Sequence, residues 1–381
     1  MFKLAEKVTE NHTRFDIGDP DFETPRSVKQ TTIDAIKRGY THYTPSTGIS
    51  LLKEAICDYT HDTLGYKPSM NQICVSPGCN ALIYAIIRCL VKEGEAVAIP
   101  DPGFPTYRSV LDLLNIESIP LPLLEENDFN VNPEDVKNLP KHVKLVIVNS
   151  PNNPTGSMIS SQKEANRISE YCNNKGMYLL SDEIYSLMTY GHTHYSPSDL
   201  EKCLKHTIVI SGFSKSFAMS GYRLGYCIAP DWLTEKIGLL MQTIVSCTNE
   251  FVQYSGIEAL QRIPSEISYN LDVLTKRRNH IVEGLNSIQG ITCKSTKGAF
   301  YVFPNIKGTG MTSREFADKM FKSNVALLPG TDFGKYGDGY VRLAFTQSQI
   351  EARIGLSRME RALFGTDKLF VDTKVVYPER T

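Results

Sequence analysis

The sequence has almost no excess of charge of either sign. Lys and Arg number 41 against 42 Asp and Glu, a formal net charge of −1. That balance gives no electrostatic case for a nucleic acid or an anionic membrane as partner. Long apolar runs are also missing. The longest, around Ala81 to Val91, is broken by Arg88 and is too short to span a bilayer. Met1 to Lys7 lacks the apolar centre of a signal peptide, so a cytoplasmic chain is expected. The nine cysteines (57, 74, 79, 89, 172, 203, 227, 247 and 293) are odd in number and include no Cys-x-x-Cys pair. Neither a disulfide framework nor a metal site is expected, and the thiols should be reduced. There is no Walker loop, and no G-x-G-x-x-G follows a strand, which disfavours nucleotides. These absences leave a small molecule as the expected ligand.

The 381 residues exceed one ordinary domain, and 41% of them are apolar, enough to bury a sizeable core. Residues 1–25 read as irregular, and helical spacing follows over 27–37 and 51–63. From 73 to about 250, strand and helix signals alternate. Strands are expected at 73–76, 95–99, 116–121, 144–150, 177–181, 206–211 and 224–228. Helices are expected at 81–91, 105–113, 133–138, 161–174 and 231–245. This alternation predicts an α/β fold with a mostly parallel sheet of the seven-stranded type, flanked by helices. A long helix over 267–285 leads to a smaller α+β unit with short strands near 291–293, 299–303 and 340–345 and helices at 313–323 and 348–363. The expected division is 1–37 and 276–381 in the small domain and 38–275 in the large one.

Three segments follow apolar strands: Asn152 to Gly156, Ser181 to Tyr185, and Ser214 to Phe217 with Arg223 beyond. Ligands of open α/β sheets bind beyond the carboxyl ends of such strands. An Asn, an Asp, a Tyr, a Lys and an Arg are therefore delivered to one crevice. A lysine in a desolvated pocket beside another cation has a lowered pKa and can form a Schiff base. Lys215 with Arg223 fits this, although a single loop lysine also reads as a solvated residue. Asp182 closes a strand, where it can pair with a protonated pyridine nitrogen or serve as a helix cap. Tyr185 and Asn153 can reach the same ring, or be an ordinary half-buried Tyr and a turn Asn. Gly78, Cys79 and Asn80 join a strand to a helix N-terminus, a cup for phosphate. Phe104 can stack on a planar ring or pack in a loop. Arg342, inside an apolar strand, needs an anion, supplied by a substrate carboxylate or by an internal Asp or Glu.

Taken in order, these segments resemble the class I/II aminotransferases, pyridoxal-phosphate enzymes of fold type I. The resemblance runs from about Gly18 to residue 363. It rests on Gly18-Asp19-Pro20-Asp21-Phe22, His42-Tyr43-Thr44-Pro45 with Gly48, Pro77-Gly78, and Pro102-Gly103-Phe104-Pro105 with Tyr107. Farther along it rests on the 152–156, 181–185 and 214–225 segments, Gly298-Ala299-Phe300-Tyr301, and Pro329-Gly330 before Val341-Arg342. It implies that Lys215 carries pyridoxal 5'-phosphate and shuttles a proton, and that Asp182 holds the ring nitrogen. Asn153 and Tyr185 would bond the ring's phenolate oxygen, and Phe104 would stack on the ring. Gly78, Cys79, Asn80 and Arg223 would hold the phosphate. Position 212 is Gly where some relatives have a phosphate-binding serine, so Ser211 or Ser214 would serve instead. Arg342 would clamp the substrate α-carboxylate, with Gly18 and Asn153 beside it. Tyr43 would reach the phosphate of a neighbouring subunit, which makes the expected state a homodimer.

The implied reaction moves an amino group from an L-amino acid to a 2-oxo acid such as 2-oxoglutarate by a ping-pong route. Carbon–sulfur β-lyases, cyclopropane-forming synthases and amino acid oxidases share these residues, and fold alone does not separate them. A cofactor-free binding protein on the same scaffold is the more distant alternative. Phe15, Phe22 and Tyr40 are candidates for the substrate side-chain pocket and suit an apolar or aromatic donor.

Overall fold

The computed structural model describes residues 8–199, 205–262 and 265–365. After a two-residue strand β1 (Thr13–Arg14) come the strands of the main sheet: β2 (Ile73–Ser76), β3 (Ala96–Asp101), β4 (Glu117–Pro122), β5 (Val143–Asn149), β6 (Tyr178–Asp182), β7 (Thr207–Gly212) and β8 (Gly225–Ile228). They form one seven-stranded sheet in the order β2-β8-β7-β6-β5-β3-β4. The pairings from β7 through β6, β5 and β3 to β4 are parallel, while β8 is antiparallel to both β7 and β2. The expected sheet is thus present, with each of its seven strands within two residues of its predicted place, whereas the strand expected at 291–293 in the smaller unit is only a bridge of Thr292 with Asn305.

Both faces of the sheet are buried, as a parallel sheet requires. Strand side chains alternate. Val97, Ile99, Leu145, Ile147 and Leu180 pack with Leu82, Ile86, Leu111 and Leu233 of the helices Cys79–Leu90, Pro105–Leu113 and Asp231–Val245. Ala96, Ala98, Val146, Val148 and Leu179 face Val136, Ala165 and Ile168 of Pro133–Lys137 and Gln162–Asn174.

The long helix runs over Ser265–Ser287. Beyond it lie β9 (Tyr301–Val302), β10 (Val325–Ala326), β11 (Leu328–Pro329) and β12 (Val341–Ala344), with helices Ser313–Lys322 and Gln349–Phe364. β11, β12 and β9 form an antiparallel sheet with β12 central. β1 pairs in parallel with β10, so the segment expected to be irregular is stitched into this part of the molecule. Its Phe15 is fully buried among Phe316, Phe345 and Leu356. Among the described residues no helix is long and apolar enough to cross a membrane.

One boundary matters for function. The helix expected from Ala81 begins at Cys79, with Gly78 as its cap at φ +89°. Only glycine enters that conformation without strain. Cys79 and Asn80 therefore stand in the first turn, where backbone N–H groups are free.

Candidate active site

The strand directions explain why distant residues meet. Two successive antiparallel pairings, β7 with β8 and β8 with β2, set β2 running the same way as β7. The carboxyl ends of β2, β3, β5, β6 and β7 therefore lie on one edge of the sheet, and so does the amino end of β8. Gly78, Phe104, Asn153, Asp182 and Lys215 follow the first five ends, and Arg223 stands just before β8. β12 brings Arg342 across from the smaller sheet.

The result is a cavity of about 330 Å³. Of the predicted residues, Gly18, Cys79, Asn80, Phe104, Asn153 and Asp182 line it, as do Tyr185, Ser214, Lys215, Arg223 and Arg342. Gly78 lies behind this wall against Arg223; a Cβ on it would come within 2.5 Å of the Arg223 Nη2. Tyr43 is not brought to the cavity, and its side chain is 87% exposed. Ser214 faces the cavity, whereas Ser211 Oγ turns away to donate to the Glu183 carbonyl at 3.4 Å. Phe15, Phe22 and Tyr40 do not line it. Phe15 is core, Phe22 lies under the Arg277 guanidinium at 5.2 Å, and Tyr40 stacks on Tyr254 at 4.4 Å. The apolar wall is instead supplied by Ile83, Phe104 and Ile184.

Lys215 Nζ donates to the Gly18 carbonyl at 2.7 Å. Burial holds its ammonium below the ordinary lysine value; Asp19 opposes this, and the charges of Arg342 and Arg223 add to it. The expected cationic neighbour of the lysine is thus a pair of arginines. Asp182 is 3% exposed. Its Oδ2 accepts from Tyr107 Oη at 2.6 Å and its Oδ1 from the Ile184 N–H at 3.3 Å. Burial raises its carboxyl from 3.8 to about 6 despite those hydrogen bonds. Arg342 is 2% exposed. Nη1 donates to Asn153 Oδ1 at 3.2 Å and Nη2 to the Asp16 carbonyl at 2.5 Å, while Nε is buried with no partner. Tyr301 and Phe333 sandwich its guanidinium at 4.6 and 5.1 Å. Among the described residues no Asp or Glu carboxylate pairs with it, so the internal ion-pair partner left open by the sequence is not found there.

Tyr107 and Tyr301 belong to the motifs above, but the motifs alone point to a role for neither. Tyr107 sits one helical turn past Phe104 and holds Asp182. Tyr301 Oη lies 3.0 Å from Tyr185 Oη, so the two phenols share one hydrogen bond. Ser220 also lines the cavity, and its Oγ donates to Asp19 Oδ2 at 3.1 Å.

Three cations, Lys215, Arg223 and Arg342, surround this cavity without an ion-pair partner among the described residues. One buried carboxylate, Asp182, lacks a cation. Arg223 is exposed, but Arg342 and Asp182 are buried, and a buried charge without a counter-charge is costly. A ligand that carries a dianionic phosphate at one end and a protonated ring nitrogen at the other answers both deficits. Pyridoxal phosphate has these charges, and the cavity volume accommodates it.

The family described as Aminotransferase class I and II matches residues 10–357. An aspartate aminotransferase of Pyrococcus horikoshii is 34% identical over 369 residues, which cover 96% of this chain and 94% of that one. An aromatic-amino-acid aminotransferase of Thermococcus litoralis is 34% identical over 370 residues, 95% and 94% of the two chains. The crystal structure of an aromatic aminotransferase from Pyrococcus horikoshii superposes with a TM-score of 0.89 at 33% identity, covering 95% and 98%. With the sheet, the cavity and its charges in agreement, the chain belongs to the class I and II aminotransferases, enzymes that depend on pyridoxal phosphate.

Proposed function

We propose that this aminotransferase moves the amino group of an L-amino acid to a 2-oxo acid such as 2-oxoglutarate, in two half-reactions at one site. The observation that carries this reading is the buried Arg342 with its unpartnered Nε, opposite Lys215 and beside Asn153. A guanidinium so placed matches a carboxylate bidentately. It fixes an α-amino acid with its α-carbon towards the lysine.

Each residue has a task in this scheme. Lys215 would hold the cofactor covalently and would be the group that an amino donor replaces. Bound pyridoxal phosphate then supplies an electron sink for the donor's α-carbon. The freed Nζ, whose ammonium form burial disfavours, would take the α-proton and return it at a neighbouring carbon. Asp182 keeps the ring nitrogen protonated, with Tyr107 orienting its carboxylate. Asn153 and Tyr185 bond the ring's phenolate oxygen, and Phe104 covers the ring face. Gly78, Cys79, Asn80, Ser214 and Arg223 hold the phosphate, and the Gly18 backbone closes over the substrate. Tyr43 reaches the site of a second copy, which makes the working unit a homodimer; its exposed ring supports this. The large sheet with 38–275 carries the cofactor, and 1–37 with 276–381 closes on the substrate. The setting is cytoplasmic.

Relatives carry the names aspartate and aromatic-amino-acid aminotransferase. In this chain all three cavity cations have a task, and Ile83, Phe104 and Ile184 make the remaining wall apolar. Apolar or aromatic donors are therefore favoured over aspartate. The test is a panel of amino donors with 2-oxoglutarate. Glutamate formation from tyrosine or phenylalanine is the expected outcome. Pyruvate and ammonia released without an acceptor would show a lyase instead.

Arg342→Gln gives a narrower check. Loss of a charge-assisted, bidentate clamp should raise the KM for the donor by roughly 100-fold, about 3 kcal/mol. The variant should still take up the cofactor covalently, because Lys215 is intact. A KM within threefold of the parent protein's would remove Arg342 from the substrate site.

A further inference from the structure

Behind Asp182 lies a second buried carboxylate that the reaction scheme leaves without a task. Asp182 and Glu183 are consecutive at the end of β6, so their side chains leave on opposite faces. Asp182 enters the cavity. Glu183, 4% exposed, turns to the far face, where its Oε2 is within hydrogen-bonding distance of His194 Nε2 at 2.9 Å. Its Oε1 accepts from Ser181 Oγ at 2.8 Å and from Ser196 Oγ at 2.6 Å. Its backbone is tied to the strand that leads to Lys215, through the Glu183 N–H to the Ile210 carbonyl at 2.9 Å. His194 is 10% exposed, and its Nδ1 is buried without a hydrogen-bond partner.

A carboxylate so deep is retained as an anion only when donors surround it. Here three side-chain donors do so, and His194 with the serines keeps Glu183 below the ordinary glutamate value although burial opposes them. The other ionisable groups packed round it are phenols and Asp182. Tyr59, from helix Ser50–Leu64, and Tyr226, from β8, are raised by burial first and by the Glu183 charge in addition. Both stay neutral. The same charge helps to raise Asp182, after burial. The field of Glu183 therefore reaches the cavity through the strand end, and no Lys or Arg among the described residues pairs with it.

We infer that Glu183, anchored by His194 and two serine hydroxyls, is a positioning residue whose buried negative charge helps Asp182 hold the bound cofactor protonated. This rests on the proposed pyridoxal-phosphate site. Glu183 touches neither cofactor nor substrate. It acts through the charge it adds behind Asp182 and through its backbone bond to β7. His194 is the group that keeps that charge in place.

The test is the pH dependence of the near-visible absorbance of the loaded protein. Glu183→Gln keeps the shape, and its amide oxygen can still accept from the two serines, but the charge is gone. A cation loses stabilisation when a nearby anion goes, so the midpoint should move to lower pH by about half a unit or more. His194→Leu strips Glu183 of its main donor and should shift the midpoint the same way. His194→Gln, which can still donate, should restore most of it. A support that is only structural would lower the melting temperature of all three and leave the midpoint in place, which overturns the inference. Should Glu183→Gln not fold, equal midpoints in the two His194 variants overturn it as well. A parent protein that takes up no pyridoxal phosphate would overturn the site reading and this inference with it.

Discussion

Lys215→Met is expected to lower the rate of amino transfer by at least roughly 10⁵-fold, about 7 kcal/mol of barrier. It should also make the unloaded protein more stable at neutral pH. The loss of rate has two sources. The side chain that takes the α-proton is gone, and so is the covalent tether that presents the cofactor. After borohydride treatment the parent protein should keep its cofactor through denaturation, and the variant should not. The gain in stability follows from electrostatics. Burial, reinforced by Arg342 and Arg223, depresses the Lys215 ammonium in the fold, and Asp19 only partly offsets this. Where the folded pKa lies below the unfolded value of about 10.4, the unfolded chain binds more protons, so stability rises with pH across that window. The unloaded parent should therefore melt below the variant at pH 7, and the difference should close as the pH approaches 10. Melting curves of the two unloaded proteins at several pH values test this. A variant that transfers amino groups within tenfold of the parent's rate removes Lys215 from the chemistry.

That result would also show why some of the site could be read in the sequence and some could not. Lys215, Asp182 and Asn153 were legible because each follows a buried strand, and apolar runs of four to six residues mark such strands. Their convergence follows from strand direction alone. Arg342 was legible as a charge in an apolar strand, and the family resemblance set Asn153 beside it, but its bond to the Asp16 carbonyl was not legible. The Asp16 carbonyl and Asn153 lie 326 and 189 residues away. Only packing places them there.

The errors have the same origin. Phe15 looked like a pocket residue because it precedes Gly18, yet β1 pairs with β10 and turns its ring into the core of the small sheet. That pairing is two residues long and joins positions more than 300 apart, so no local pattern announces it. Tyr107 had a local signal, one helical turn from Phe104. Its hydrogen bond to Asp182 depends on how Pro105–Leu113 packs over the sheet, and periodicity does not give that.

Asp182→Asn should separate function from stability most clearly. In the proposed site the carboxylate keeps the ring nitrogen protonated, which an amide cannot do. Loss of that charge should slow removal of the α-proton by roughly 10³-fold, about 4 kcal/mol. Cofactor uptake should weaken, while Lys215 still binds it covalently. In the unloaded protein the same change should stabilise. Asp182 titrates near 6 in the fold against 3.8 ordinarily, with burial as the main cause. The folded state thus holds its proton to higher pH than the unfolded chain. Stability contributed by the neutral acid is complete below about pH 4 and is lost as pH rises through 6. The two-unit shift corresponds to about 3 kcal/mol. The amide carries no charge at any pH and can still accept from Tyr107. Unloaded Asp182→Asn should match the parent near pH 4 and exceed it by up to that amount at pH 8. Adding pyridoxal phosphate should reverse the order, because only the carboxylate gains a cationic partner. Denaturant titrations at the two pH values, with and without cofactor, test both halves. A variant that stays less stable than the parent at pH 8 without cofactor would mean that Asp182 is held as an anion by the protein alone.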